Sequence, residues 1–354
     1  MRLPPLRHWL VGLVLSLALV WGAGALLLDS VQPVALDPAL GRYVPQPGTT
    51  FHTRGEGFAV STAGEHGMRG LPGGALPQGA KVVFWGDSFV EGLQVDDQDR
   101  MAQVFTQLAS QAGLPVMGVG IGTGGDTLID CIVKAPDYAR VLTPVRLNVF
   151  VLGRISDVLP DNPRPCRANF FSTPAPHIEQ ADCPPSELSL RLAPALARLE
   201  LGGLFHAYLR LRALAPRLSL GPVELQAMTT GAVPSADHDS AWDFLLDQAR
   251  RSAGNQLLFL YLPMRPLPQN GAVSLSDPEG GTAQAFAAAC ARHKIPFLNL
   301  GPALTAHYQA TGRFPRGFFN TPPGSGHLNE VGHRLVAQTL VQHLQEHPDA
   351  LLAR

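Results

Sequence analysis

The chain has 354 residues with a formal net charge of −1, 45% hydrophobic and 16% charged residues. This balance excludes an intrinsically disordered chain. The near-neutral charge, with no dominant Lys/Arg cluster, excludes a nucleic-acid binder, which needs clustered cations to displace counterions. The length allows two domains or one large α/β domain with insertions.

From Trp9 to Leu28 the chain carries no charge. At about 1.5 Å per residue this run can cross a hydrocarbon core of about 30 Å. Arg2 and Arg7 precede it and Asp29 follows it. The positive-inside bias therefore predicts a cytoplasmic segment 1–8, a transmembrane anchor 9–28, and a periplasmic or extracellular remainder. Trp9 sits at an expected interface, whereas Trp21 does not. A cleaved secretory signal ending near Ala23-Gly24-Ala25 is the alternative, and it exports the same domain. Cysteine usage agrees with export: Cys166 and Cys183 flank a Pro-rich polar loop. A bridge there closes about 18 residues and contributes roughly 3 kcal/mol in the chain-entropy model. Cys131 and Cys290 fall in helical segments among apolar neighbours and read as buried thiols. No Cys/His spacing suggests a metal site, and no cofactor is expected.

Residues 29–78, rich in Gly, Pro and Thr with little periodicity, read as a tether and irregular lead-in to a domain spanning 79–354. In that domain Lys81–Gly86 is a buried-strand run and Asp97–Gly113 a helix with Met101, Val104, Phe105 and Leu108 on one face. Pro115–Ile121 is a second strand, Asp126–Leu142 a second helix and Arg146–Leu152 a third strand. Leu257–Leu262 and Ile295–Leu300 supply strands four and five, with helices near 238–253, 281–293 and 329–345. Strands alternating with helices imply a parallel sheet with right-handed crossovers. An insertion at about 157–255 separates strands three and four, too long for an ordinary connection. Its Ser186–Leu220 stretch is rich in Leu and Arg, including Arg191, Arg198, Arg210, Arg212 and Arg217. It reads as a cap helix packed by its Leu face, or as a basic amphipathic helix on an anionic surface.

Ser88 follows Gly86-Asp87 at the carboxyl end of the first strand, where open α/β sheets bind ligands. A serine there is by itself an ordinary turn or helix-cap residue. A partner is available in His327, in the loop Gly326-His327-Leu328-Asn329 before the last helix, positioned to act as its general base. His333 on that helix reads as a packing or capping residue. Gly120-Ile-Gly122-Thr-Gly124-Gly125 satisfies the dinucleotide fingerprint. The acid it requires on the following strand is replaced by Arg154, and close backbone packing explains the glycines.

Together, Gly86-Asp87-Ser88 and His327-x-Asn329-x-x-Gly332-His333 resemble the two terminal blocks of the SGNH, or GDSL-type, hydrolase superfamily. Leu36-Asp37-Pro38, Gly41 and Gly67-Met68-Arg69-Gly70 look like the lead-in of its membrane-anchored members found with bacterial surface polysaccharides. The resemblance spans most of residues 36–345 outside the insertion. It implies a three-layer α/β/α, flavodoxin-like fold, with a five-stranded parallel sheet, a large helical insertion after strand three and an N-terminal transmembrane helix. It also implies a serine esterase or acyltransferase acting on O-acyl, above all O-acetyl, groups of a cell-envelope carbohydrate, with a membrane-bound acyltransferase as a further partner. Carried over, Ser88 is the nucleophile, His327 the base, and Ser88, Gly120 and Ser156 border the oxyanion.

Two positions depart from the pattern. The family's Gly-x-Asn-Asp reads Gly153-Arg154-Ile155-Ser156-Asp157 here, and its Asp three residues before the histidine is Gly324. Loss of that acid predicts a Ser88–His327 dyad, the ring oriented by a backbone carbonyl or by nothing. The competing reading from another class is a catalytically inactive glycan-binding or assembly scaffold.

Overall fold

The computed structural model describes residues 6–158, 164–173, 175–181, 183–199, 201, 204–205, 238–269 and 271–351. Helix α1 (Leu6–Leu27) is long and apolar enough to cross a membrane. The segment after it is more ordered than its composition suggests. It folds into two antiparallel hairpins, β1 (Val34–Asp37) with β2 (Arg42–Pro45), and β3 (Thr50–Thr53) with β4 (Ala59–Thr62). Leu40, Val44, Met68 and Leu71 from this segment are buried in the main core. Each hairpin strand has four residues, too short for a periodic signal; Leu40 and Val44 seat the first hairpin in the core, and Asp96 and Asp97 hold the second by accepting the Val60 and Thr62 N–H groups at 2.9 and 3.0 Å.

The chain continues through β5 (Lys81–Gly86), the single turn α2 (Ser88–Glu91), α3 (Met101–Gln111), β6 (Met117–Gly122), α4 (Leu128–Leu142) and β7 (Val145–Leu152). The inserted region contributes a hairpin, β8 (Ala168–Phe171) and β9 (His177–Gln180), and helix α5 (Glu187–Arg198). Next come α6 (His238–Ala253), β10 (Leu257–Tyr261), and a small hairpin of β11 (Leu267–Gln269) and β12 (Ala272–Ser274). The chain ends with α7 (Gly280–Arg292), β13 (Phe297–Asn299), α8 (Gly301–Thr311) and α9 (Glu330–Glu346). Helix α8 lies in a stretch for which the sequence pattern gives no element.

Five strands form one parallel sheet in the order β13-β10-β7-β5-β6. This is the architecture that the hydrolase resemblance implies. Interior strand β5, between β7 and β6, is buried at all six positions, as expected of a parallel strand covered on both faces. Its alternating side chains divide the core: Val82 and Phe84 pack with residues of α3, α8 and α9, whereas Val83 and Trp85 pack with residues of α4, α6 and α7. The buried polar pair between β5 and β7 is satisfied: Trp85 Nε1 donates to Asn148 Oδ1 at 2.8 Å and Asn148 Nδ2 to the Ala253 carbonyl at 2.7 Å.

Cys166 and Cys183 form the expected disulfide across the β8–β9 hairpin, and Cys131 and Cys290 are free and buried. Arg164 and Arg167 beside the bridge bind Asp130 of α4 and Asp126 just before it, fixing the start of the insertion to the domain. Arg210, Arg212 and Arg217 of the basic stretch lie outside the described residues.

Phe259 of β10 is fully buried, with its ring centroid 5.3 Å from Phe150 and 5.4 Å from Phe286. Phe259→Ala is expected to lower stability by about 3–5 kcal/mol. Denaturant unfolding checks this, and a loss under about 1 kcal/mol would contradict a close-packed centre.

Candidate active site

Ser88 is placed by a sharp reversal after β5. Asp87 caps α2 by accepting the Phe89 N–H at 2.9 Å, and Gly92 closes the turn in the left-handed conformation. Gly86 makes this reversal possible, because a Cβ there would lie 2.6 Å from Val90 Cγ2. The hydroxyl of Ser88 consequently stands at the carboxyl end of the sheet.

His327 reaches it from the loop between α8 and α9, with Nε2 at 2.8 Å from Ser88 Oγ. The other ring nitrogen does not meet a backbone carbonyl, as the dyad reading expects. Nδ1 lies 2.5 Å from Glu56 Oε2, and the His327 backbone N–H donates to Glu56 Oε1 at 2.6 Å. Because an ionised carboxylate only accepts, Nδ1 carries the ring proton and Nε2 is left to accept from the Ser88 hydroxyl. The missing acid is therefore supplied 271 residues upstream, from the turn between β3 and β4.

Local geometry explains why the carboxylate comes from there. Gly324 has φ +74°, and a Cβ on it would stand 2.7 Å from both the Phe314 ring and Pro268 Cδ, so that position has no room for a side chain. Gly326, also left-handed, would place a Cβ 2.1 Å from Glu56 Oε1. Glycine at 326 thus leaves the space the carboxylate fills. Asn320 ties the two loops together, accepting from the Gly57 N–H at 2.9 Å and donating to the Arg54 carbonyl at 2.9 Å. Burial raises the Glu56 carboxyl, but the hydrogen bonds from the His327 ring and backbone and the attraction of that ring outweigh it, leaving the carboxyl below its ordinary value.

Behind the ring, Phe89 lies with its centroid 5.5 Å from that of His327, and the Arg316 guanidinium carbon sits 4.5 Å from the Phe89 centroid. Arg316 is buried and donates to the Leu262 carbonyl at 2.9 Å, bracing the histidine loop against the end of the sheet. Burial brings its pKa down to about 10, against the pull of Asp87. His333 has the packing and capping role read from the sequence, its Nδ1 accepting the Met101 N–H at 3.2 Å at the start of α3. Burial, with the charges of Arg100 and His327, pushes it to about 3 and keeps it neutral.

The oxyanion assignments change. The Ser88 amide, at the first residue of α2, lacks an intrahelical acceptor and remains the donor that the geometry supports. Gly120 pairs with Phe84 inside the sheet, and an ideal Cβ on it would face Val90 Cγ1 at 3.5 Å and the Val90 carbonyl at 3.6 Å rather than Ser88. The residue beside Ser88 is Gly124, whose ideal Cβ falls 4.0 Å from Ser88 Cβ. Its N–H is held by Glu91 Oε2 at 2.9 Å, and Arg69 of the lead-in stands 3.7 Å from Glu91. Ser156 donates its hydroxyl to Glu279 Oε1 at 2.6 Å, and Ile155 is buried, so neither supplies the family's asparagine donor. The fingerprint glycines serve close packing: a Cβ on Gly122 would be 2.3 Å from the Glu91 nitrogen.

No family model and no curated protein matches the chain. Among solved structures it is similar to a lipase/acylhydrolase from Enterococcus faecalis at 14% identity and TM-score 0.41, covering 75% of this chain and 96% of that one. It is likewise similar to a member of the lipolytic G-D-S-L family from Veillonella parvula DSM 2008 at 13% identity and TM-score 0.36, covering 75% and 98%. A catalytic mutant of the acetylxylan esterase Axe2 from Geobacillus stearothermophilus matches at 12% identity and TM-score 0.39, covering 79% and 99%.

Glu56→Gln keeps the size of the side chain and removes its charge, so turnover of an acetyl ester is expected to fall by up to about 10⁴. Gly324→Asp in that background is expected to restore nothing, because its side chain meets Phe314 and Pro268. Initial rates on p-nitrophenyl acetate with folding verified by circular dichroism check both, and rescue by Gly324→Asp would contradict the assignment. Glu56 also predicts a pH dependence. Its depressed pKa contributes stability that is present above the ordinary carboxyl value of 4.5 and lost as pH falls through the lower folded value. Thermal midpoints measured below pH 4.5 should therefore fall more steeply in the wild type than in Glu56→Gln.

Proposed function

We propose that the protein is an SGNH-type serine esterase acting on O-acyl groups, in the first instance O-acetyl groups, of a cell-envelope carbohydrate, anchored by α1 with its domain on the exported side. The observation that carries this reading is the continuous hydrogen-bonded chain from Glu56 through His327 to Ser88. Similarity to an acetylxylan esterase supports the choice of acetyl esters as the first substrates to test.

In this mechanism Ser88 Oγ attacks the ester carbonyl as its proton passes to His327 Nε2. Glu56 holds Nδ1–H and stabilises the imidazolium, while the Ser88 amide donates to the developing oxyanion. The imidazolium returns its proton to the departing sugar oxygen as the ester C–O bond breaks, leaving an acyl-serine. A water or a second sugar hydroxyl then attacks that acyl carbon, losing its proton to Nε2, and Ser88 Oγ departs with a proton from His327. Water gives hydrolysis and a sugar hydroxyl gives transfer, the latter pairing naturally with a membrane-bound acyltransferase that supplies acyl groups.

Labelling the detergent-purified full chain with a fluorophosphonate tests the reading. The expected result is a single adduct at Ser88, absent in Ser88→Ala, together with acetate release from acetylated xylan. The glycan-binding scaffold remains a second reading because the Ser156 hydroxyl is committed to Glu279, which removes one oxyanion donor. No adduct and no acetate release would favour that scaffold.

A further inference from the structure

Helix α5 has no buried residue. Leu188, Leu192 and Leu199 are 67%, 45% and 57% exposed, and with exposed Ala195 they recur at spacings of four, three and four, forming one stripe along the helix. The opposite side is half-buried, with Pro194 and Ala197 facing the hairpin segment across a cavity of about 310 Å³ bordered by Ser30 and His52. An exposed leucine stripe on a helix whose other side is already in contact calls for an apolar surface beyond the described residues.

The far end of α5 indicates which surface. Trp21 Nε1 of α1 donates to the Leu199 carbonyl at 2.8 Å, and a Cβ on Gly24 would lie 3.2 Å from Leu204. Trp21 is six residues before the end of α1, about 9 Å along its axis, within the depth of about 5–10 Å at which interfacial helices lie. An indole N–H at that depth requires an acceptor, and Leu199 provides it. Arg191 and Arg198 are exposed on the same helix, Arg191 pairing with Glu187.

We infer that α5 lies in the outer interface of the bilayer that α1 crosses, with Leu188, Leu192, Ala195 and Leu199 among the acyl chains and Arg191 and Arg198 at the lipid phosphates. The inference rests on the reading of α1 as a membrane span. It brings the catalytic site to the lipid surface. Asp29, two residues and at most about 7 Å beyond the end of α1, accepts from the backbone N–H groups of Arg54 and Gly55 at 2.6 and 2.9 Å, and Glu56 is the next residue. The substrate class that follows is an O-acylated glycan presented at the bilayer surface.

The test uses the full chain reconstituted in vesicles of phosphatidylcholine and phosphatidylglycerol. A fluorophore is placed on a single introduced cysteine in Leu192→Cys, in Leu15→Cys within α1, or in Ser110→Cys, an exposed position at the end of α3 remote from the site. The two native free cysteines are buried and spare the labelling. A nitroxide on the lipid acyl chain is expected to cause loss of emission at positions 192 and 15 and none at 110, with aqueous iodide showing the reverse. Emission at 192 that responds to iodide as 110 does, while 15 remains in lipid, overturns the placement of α5. Shielding of 192 from both quenchers overturns it in favour of a protein partner or second copy. If 15 also responds to iodide, the membrane span itself fails and the inference with it. As a second variant, Leu188→Glu with Leu192→Glu is expected to abolish lipid quenching of a probe in Leu199→Cys.

Discussion

The contact between Glu56 and His327 joins the two ends of the domain and sets the chemistry between them. One carboxylate accepts from both the backbone and the ring of the histidine, fixing loop position and ring tautomer together. Removing the turn that bears Glu56 would leave the histidine loop without its orienting partner and Ser88 beside an unoriented base. The segment after α1 is accordingly part of the candidate site, held by Leu40 and Val44 in the core and by the Asp96 and Asp97 carboxylates on β4.

The glycines around this contact are spaces for specific neighbours. Gly86 lets α2 fold back on β5, Gly122 lets it approach β6, and Gly326 leaves room for the Glu56 carboxylate. At each of these positions a methyl group would fall within 2.6 Å of an existing atom, a closer approach than packed atoms tolerate. Around them, buried charge reinforces the arrangement. Arg316 backs Phe89 and the histidine loop, while Arg69 stands beside the Glu91 carboxylate that holds Gly124 next to Ser88.

The same connections couple the site to the N-terminal helix. Asp29 grips the turn that carries Glu56, and Trp21 grips the end of α5. Trp21 looks misplaced when α1 is considered as an isolated span, but its indole has a partner once the inserted helix is in view. The N-terminal helix, the insertion and the turn that bears Glu56 are therefore joined by direct hydrogen bonds.

The sequence by itself determined the elements whose signals are local. Buried strands such as Lys81–Gly86 read as apolar runs, the helices read from their apolar spacing, and the two terminal blocks marked Ser88 and His327. The Cys166–Cys183 bridge was legible from composition, and the long apolar helix α1 from its uncharged run. Only tertiary structure decided the identity of the acid, because Glu56 sits alone in a Gly-rich turn and no spacing links it to a histidine 271 residues away. Aligning a family pattern also misplaced Gly120 and Ser156. Strand register decides which glycine stands beside Ser88, and a neighbouring carboxylate decides whether a serine hydroxyl is available. Both are through-space facts, fixed when the sheet pairs and Glu279 closes on Ser156, and chain order does not encode them locally.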